Sequence, residues 1–151
     1  MQDDSGTDFG LLLAQALNGY VEHLHRELGE RGFTDLRPTF GLLLRALHAQ
    51  PRTLTDLSRE LGVSKQAAAK VVGEVERRGL VEREPSPVDR RATVLRLSAR
   101  GEALVTAAIE IGNTVERDLP ADVGLRDGLE RLAHDPPWAG GEPPKGGGRI
   151  W

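Results

Sequence analysis

The chain has 151 residues, no cysteine and a formal net charge of −3. That length suits one domain with its own core, and the lack of cysteine excludes disulfides, thiolate metal sites and thiol redox sensing. An acidic start (Asp3, Asp4) without a basic stretch and apolar run is unlike a signal peptide, and the apolar runs are too short to span a bilayer, so a soluble cytoplasmic protein is expected.

The charge is unevenly divided. From Arg37 to Gly101 there are 13 Lys and Arg against 7 Asp and Glu, a local balance of +6, while the remainder carries −9. A basic centre between acidic flanks suits nucleic-acid contact by the centre alone. The plainer alternative is that these cations only solvate helix faces.

Residues 1–7 are expected to fray. From Phe9 to about Arg31, apolar residues recur at Phe9, Leu12, Leu13, Ala16, Leu17, Tyr20, Leu24 and Leu28. Steps of three and four predict a long amphipathic helix, ended by Gly32. Pro38 suits the first position of a second helix whose core face is Phe40, Leu43, Leu44 and Leu47, and Gln50-Pro51 stops it. Thr53 caps a third helix, with Asp56 in its first turn and Leu54, Leu57 and Leu61 facing inward. Gly62 permits a sharp turn. Ser64 then caps a fourth helix that runs to Arg78 and ends at Gly79. Its core side is Ala68, Val71, Val72 and Val75, which leaves Lys65, Gln66, Ala69 and Lys70 as a small, basic, exposed face.

Leu80–Glu84 and Thr93–Leu97 alternate apolar and polar residues, as half-buried strands do. Between them Pro85-Ser86-Pro87 blocks a helix and stiffens one limb of the loop. Ser98 opens a fifth helix carrying Leu104, Ala108, Ile111 and Val115. A final helix, about Ala121 to Ala133, aligns Leu125, Leu129 and Leu132, and Gly124 and Gly128 each weaken it by roughly 1 kcal/mol relative to alanine. Residues 135–151 hold four prolines and five glycines and are expected to form a flexible tail, with Trp138 and Trp151 packed back on the body or unstructured. Helix, tight turn, helix and a ribbon tipped with Asp89-Arg90-Arg91 is the order of a winged helix-turn-helix, in a mostly α (α+β) chain.

The most specific stretch joins GVSKQAAAKVVGEVERRGLVER to VDRRATVLRLSARGEAL. It sets Ser64, then Glu76, Gly79, Leu80 and Val81, then Asp89 with Arg91, then Leu97, Ser98 and Gly101. With these residues the chain resembles the MarR family of bacterial transcription regulators from about Phe9 to Leu132. Leu36-Arg37-Pro38 is similar to that family's Leu-Thr-Pro entry to the second helix, with Arg37 in place of the capping threonine. Ala67 and Ala69 stand where the family often has threonines, and the last helix is short and glycine-bearing. The resemblance implies one domain (1–151) with a winged helix-turn-helix DNA-binding lobe at 37–98 and a helical dimerisation region at 9–35 and 99–134. It also implies a homodimer whose operator binding a small ligand often weakens, commonly acting as a repressor.

The expected contacts follow from groove chemistry. The major groove admits an α-helix, so Ser64 and the first N–H groups of the fourth helix would meet a phosphate. Gln66 pairs with adenine edges, Lys65 or Lys70 with guanine or phosphate, and Ala67 and Ala69 offer methyl contacts or close approach. Arg91 is the first choice for a narrowed minor groove, with Asp89 pairing with it to hold the wing tip and Arg90 on phosphate. Thr39, Thr53, Thr55 and Arg59 are backbone-contact candidates, Thr53 being a cap in the plainer reading. Two lobes on a two-fold axis predict a pseudo-palindromic operator.

Other chemistries find less support. His23 and His25 are two apart and point to different helix faces, and His48 and His134 lie elsewhere, so zinc is not expected. No cysteine nucleophile, glycine-rich phosphate loop or Gly-x-Ser-x-Gly motif is present, so neither an enzyme nor a cofactor is expected. A winged-helix protein-interaction module without specific DNA binding is the rival reading. The family's cleft for hydrophobic or aromatic acids suggests Tyr20, His23, Arg45 and His48 as effector-binding candidates, against the simpler reading of packing and surface groups.

Overall fold

Residues 8–120 and 122–134 are described by the computed structural model. Along the chain they form α1 (Phe9–Glu30), α2 (Phe40–Ala49), α3 (Leu54–Leu61), α4 (Lys65–Arg77), β1 (Val81–Pro85), β2 (Thr93–Leu97), α5 (Ala99–Asp118) and α6 (Leu125–His134). The expectations for residues 1–7, Ala121 and the tail with Trp138 and Trp151 lie outside the described residues. The fold is mostly helical with a β-hairpin wing, as the sequence pattern predicts.

Local chemistry fixes most element ends. Thr53, Ser64 and Ser98 accept N–H bonds from Asp56, Ala67 and Gly101, capping α3, α4 and α5. Asp8, which the sequence reading passed over, caps α1 through the Leu11 N–H. α3 and α4 both close with paired reverse bonds. Val63 N–H reaches the Ser58 carbonyl and Leu80 N–H the Val75 carbonyl, each at 3.0 Å, across Gly62 and Gly79 at positive φ.

Three predicted boundaries move. Pro38 and Thr39 form a tighter turn rather than the start of α2: Phe40 and Gly41 bond back to the carbonyls of Arg37 and Pro38, three residues away. The first strand begins at Val81 because Leu80 is consumed by the turn closing α4, and it extends to Pro85, which pairs with Thr93 at the strand end. Gly124 lies before α6, at φ 55, with its carbonyl accepting from Gly128 N–H. Only Gly128 therefore weakens that helix from within.

The core divides in two. Phe40, Leu43, Leu44 and Leu47 of α2 pack with Leu57, Val72 and Val75 of the helix-turn-helix, Leu95 and Leu97 of the wing, and Leu104 and Val105 of α5. A smaller cluster joins Leu28 of α1 to Ala107, Ala108 and Ile111 of α5. Arg52, just before α3, exchanges both backbone bonds with Leu95, adding a one-residue third strand to the wing's base. The N-terminal half of α1 has no such packing: Phe9, Leu12, Leu13 and Leu17 are 40–63% exposed. No residue of α6 is buried.

Besides the core packing of Leu104 and Val105, α5 meets the lobe backbone to backbone at Gly101. A methyl group built on Gly101 would fall 2.0 Å from the Leu80 carbonyl oxygen, in backbone that cannot swing aside. Gly101→Ala must therefore push α5 off the end of α4. The expected loss is at least the 1–3 kcal/mol typical of overpacking, read as a lowered urea midpoint with an unchanged m-value.

Candidate nucleic-acid interface

The recognition helix candidate, α4, is presented by the α3–Gly62–α4 turn, with its apolar side sealed into the core through Ala68, Val72 and Val75. Its first turns leave Ser64, Lys65, Gln66, Ala67 and Lys70 exposed, and Ala69 half-buried. Ser64 spends an acceptor on the Ala67 N–H and keeps its own proton available for a donor bond. Thr39 and Ala67 face one shallow groove, which Leu42, Leu61, Val63 and Val71 also line.

Thr53 is different. Its hydroxyl accepts from the Asp56 N–H at 3.1 Å and donates to the Asp56 carboxylate at 2.7 Å, so its one proton is already committed. Thr55 is exposed, and Arg59 is paired with Asp56 at 3.2 Å.

The wing tip is a closed loop. Ser86 N–H bonds the Ala92 carbonyl at 2.8 Å, Ala92 N–H bonds the Asp89 carbonyl at 2.9 Å, and Ser86 Oγ accepts from the N–H groups of Val88 and Asp89. Asp89 does hold the tip, but through the Arg91 backbone N–H at 3.0 Å. The expected pairing with the Arg91 guanidinium is replaced by this turn, because a carboxylate two residues back reaches the nearby N–H more readily than a long flexible side chain. Arg90 and Arg91 are left exposed.

Ion pairing decides where the basic charge is available. Between Arg37 and Gly101, Arg37 pairs with Glu74, Arg52 with Glu60, Arg59 with Asp56, and Arg83 with Glu76. Arg96 bridges Glu82 and Glu84 across the hairpin. The Arg83–Glu76 hydrogen bonds raise the already high pKa of that guanidinium. Asp89 is occupied by the wing turn, so every carboxylate of the stretch has a partner. Of the cations without a carboxylate partner among the described residues, Lys65 and Lys70 lie on the first turns of α4 and Arg90 and Arg91 at the wing tip, while Arg45, Arg77 and Arg100 lie on α2, at the end of α4 and on α5.

The proposed effector residues do not line the groove beside Thr39 and Ala67. Tyr20 is half-buried, with Gly112 of α5 under its hydroxyl. His23 is bonded by Arg26 within α1 at 2.8 Å, His48 joins Glu102 of α5 at 2.7 Å, and Arg45 is exposed. Among the described residues no three His, Asp or Glu are arranged to hold a metal ion, and no helix is long and apolar enough to cross a membrane.

Sequence reasoning missed the ties behind α4. Glu74 is nearly buried and is met by Arg37 at 2.9 Å. Arg78 donates to both the carboxylate and the carbonyl of Asp35, at 2.7 and 3.1 Å. The available signal was an acidic residue on the core side of an apolar helix face, which demands a cation.

Helix-turn-helix, hairpin wing and partner-free cations on both define a winged-helix DNA-binding regulator. The MarR family profile matches residues 34–92. Over 95 residues the chain is 33% identical to the transcriptional regulator HosA of Escherichia coli O111:H-, covering 62% of this chain and 70% of that protein. The transcriptional repressor CouR, solved bound to a 23-mer DNA duplex, superposes with a TM-score of 0.62 at 25% identity, over 88% of this chain and 92% of CouR. Staphylococcus aureus MepR, solved with ethidium bromide, shares the fold at a TM-score of 0.60 and 18% identity, over 84% and 95% of the two chains. The chain belongs to the MarR family of DNA-binding transcription regulators, not to an enzyme family.

Removing the Asp89 side chain tests the wing turn. Asp89→Ala is expected to speed amide hydrogen exchange at Arg91 by up to about tenfold, the equivalent of one modest hydrogen bond. The global melting temperature should stay nearly unchanged.

Proposed function

We propose that the chain works in the cytoplasm as a homodimeric, sequence-specific repressor that occupies a pseudo-palindromic operator. The observation that carries this reading is the distribution of charge: the lobe's carboxylates are all engaged, and the remaining cations include two on the exposed start of α4 and two at the wing tip. In the major groove, the α4 N-terminus and the Ser64 hydroxyl meet a phosphate, Gln66 reads an adenine edge, and Lys65 and Lys70 meet guanine or phosphate. Ala67 permits close approach. Arg91 enters the minor groove and Arg90 meets phosphate, on a tip stiffened by Asp89. Thr39 and Thr55 position the lobe on the backbone. Thr53 serves this interface as the cap of α3.

The dimer is supported by the apolar surface that the isolated chain leaves uncovered. Phe9, Leu12, Leu13 and Leu17 of α1 and Leu125 and Leu129 of α6 are each at least 40% exposed, and each leucine gains roughly 1.5–3 kcal/mol when fully buried. A second copy covers both helices at once and sets two lobes on one duplex, with half-sites about one helical turn apart. A small aromatic or hydrophobic acid held near Tyr20, His23, Arg45 and His48, between the lobe and the dimer helices, releases DNA by preferring the lobe separation that does not match the operator.

The test is fluorescence anisotropy with duplexes recovered by genomic selection, against scrambled duplexes, across a salt series. A preference of roughly a thousandfold or more is expected. Gln66→Ala should lose about 1–3 kcal/mol of discrimination per half-site. Lys70→Ala should weaken both duplexes alike and lower the salt slope by about one per subunit. Equal, weak binding to every duplex and no enriched palindrome would overturn the reading in favour of a protein-interaction module.

A further inference from the structure

The lobe is joined to α1 and α5 by two connections of different stiffness. On the α5 side, Ser98 bonds the Leu80 carbonyl and the Gly79 carbonyl, and Gly101 lies flush on the same turn. Leu80, Ser98 and Gly101 are buried there, with Gly79 exposed at the rim, and α5 continues unbroken to Asp118. On the α1 side the link is the segment between α1 and α2; half-buried Phe33 and Leu36 pack it against both clusters, and the contacts that fix its turn at Asp35 are polar. Arg78, at the end of α4, donates through Nε to the Asp35 carbonyl and through Nη2 to its carboxylate. Its third nitrogen bonds the Glu74 carbonyl, and the guanidinium lies 5.0 Å from the Phe40 ring centroid. Two residues beyond Asp35, Arg37 reaches back to Glu74 in the middle of α4. From the α5 side Arg100 holds the Gly32 carbonyl at 3.2 Å and lies over Phe33.

Asp35 is the only described residue other than glycine with a positive φ, 57°. Left-handed backbone costs an aspartate energy that its surroundings must offset, and here the offset comes from the Arg78 fork. The carboxylate is 77% exposed, so on opening it is taken up by water, while Arg78, 21% exposed, keeps its bond to the Glu74 carbonyl. A buried, close-packed junction beside a solvated polar one behaves as a pivot with a releasable stop.

We propose that Arg78 with Asp35, reinforced by Arg37 with Glu74, is a positioning latch that fixes the angle of α4 relative to α1 and α5. In the two-lobed complex it thereby sets the half-site separation that the protein accepts. This consequence rests on the operator reading above, while the latch itself is a property of one chain. Arg78 and Asp35 touch no DNA in this scheme; they act through the placement of α4.

Two readouts separate the parts. The chain has no cysteine, so Glu22→Cys on α1 and Lys70→Cys on α4 accept a pair of spin labels cleanly. Their separation is measured by pulsed dipolar spectroscopy in full-length protein without DNA, diluted with unlabelled protein to isolate distances within one chain. Arg78→Met keeps the aliphatic stem on Phe40 and removes the fork. Asp35→Asn keeps a residue that tolerates the left-handed turn and removes the charge. In parallel, wild type and both variants, without labels, select binders from a random-sequence duplex library. The expected result is a broader label distance in both variants, with the same half-site recovered at several separations where wild type recovers one. An unchanged distance distribution in folded variants overturns the latch. Broadened distances with a single unchanged separation overturn its role in spacing. If wild type enriches no palindrome, the operator reading falls, and the label distances alone still decide the latch.

Discussion

The Leu80 carbonyl is the point on which the described structure turns. It ends the reverse turn after α4, accepts the Ser98 N–H at 3.0 Å as the wing returns, and lies where any side chain at Gly101 would have to go. Ser98 adds a second bond from its hydroxyl to the Gly79 carbonyl at 2.5 Å while capping α5 through Gly101. One small knot thus sets the direction of α4, the root of the hairpin and the start of the helix that leaves the lobe. Backbone packed on backbone at this distance has no rotamer through which to relax, which is why the joint is stiff where most interdomain joints are not.

Around that joint, charge is arranged by subtraction. A net charge of −3 gives no hint of DNA binding, and even a basic middle says little while its cations face neighbouring carboxylates. What matters is that arginines on α3, β1, β2 and the segment before α2 are consumed by Asp56, Glu60, Glu74, Glu76, Glu82 and Glu84. These exposed pairs add little stability. Their larger effect is electrostatic: they quench positive potential along the hairpin and α3. The cations left without a carboxylate partner among the described residues include Lys65 and Lys70 on α4 and Arg90 and Arg91 at the wing tip, besides Arg45, Arg77 and Arg100.

Elements with strong periodicity and their own caps were legible in the sequence. The spacing of Leu54, Leu57 and Leu61, and of Ala68, Val72 and Val75, defines two helix faces, and Thr53, Ser64 and Ser98 mark the helix starts by a mechanism internal to a few residues. Boundaries slipped where one residue was claimed by two elements. Leu80 looks like a strand residue until the closing turn of α4 takes its N–H, and Pro38 looks like a helix start until Arg37 and Pro38 close a tighter turn. Of the candidate site, the exposure of Lys65, Gln66 and Lys70 on α4 was readable from helix spacing, but the bonding state of each residue was not. Whether Thr53 has a proton to spare, or Asp89 bonds a guanidinium or an N–H, depends on three-dimensional proximity. Glu74 on the core side of α4 signals that a cation must meet it, but that Arg37 does so, and that Arg78 meets Asp35, was not readable across 37 and 43 positions.

The two halves of the molecule differ in what supports them. The lobe encloses a closed core running from Phe40 to Val105, and its helix ends are capped within the chain. α1 buries only Leu28, near its end, and α6 buries nothing. α6 is tied to α5 chiefly through Arg126, which pairs with Glu116 and holds that carboxyl below its usual range. Arg126 is exposed and Glu116 half-buried at the surface, so water still competes for the pair. Helices this poorly covered draw little stability from their own chain, because most helical stability in proteins comes from packing an apolar face. If a second copy supplies that face, as proposed, assembly and the ordering of α1 and α6 become one event. Each lobe then reaches DNA already folded, and what association adds is the distance between lobes, which is the quantity an operator with two half-sites reads.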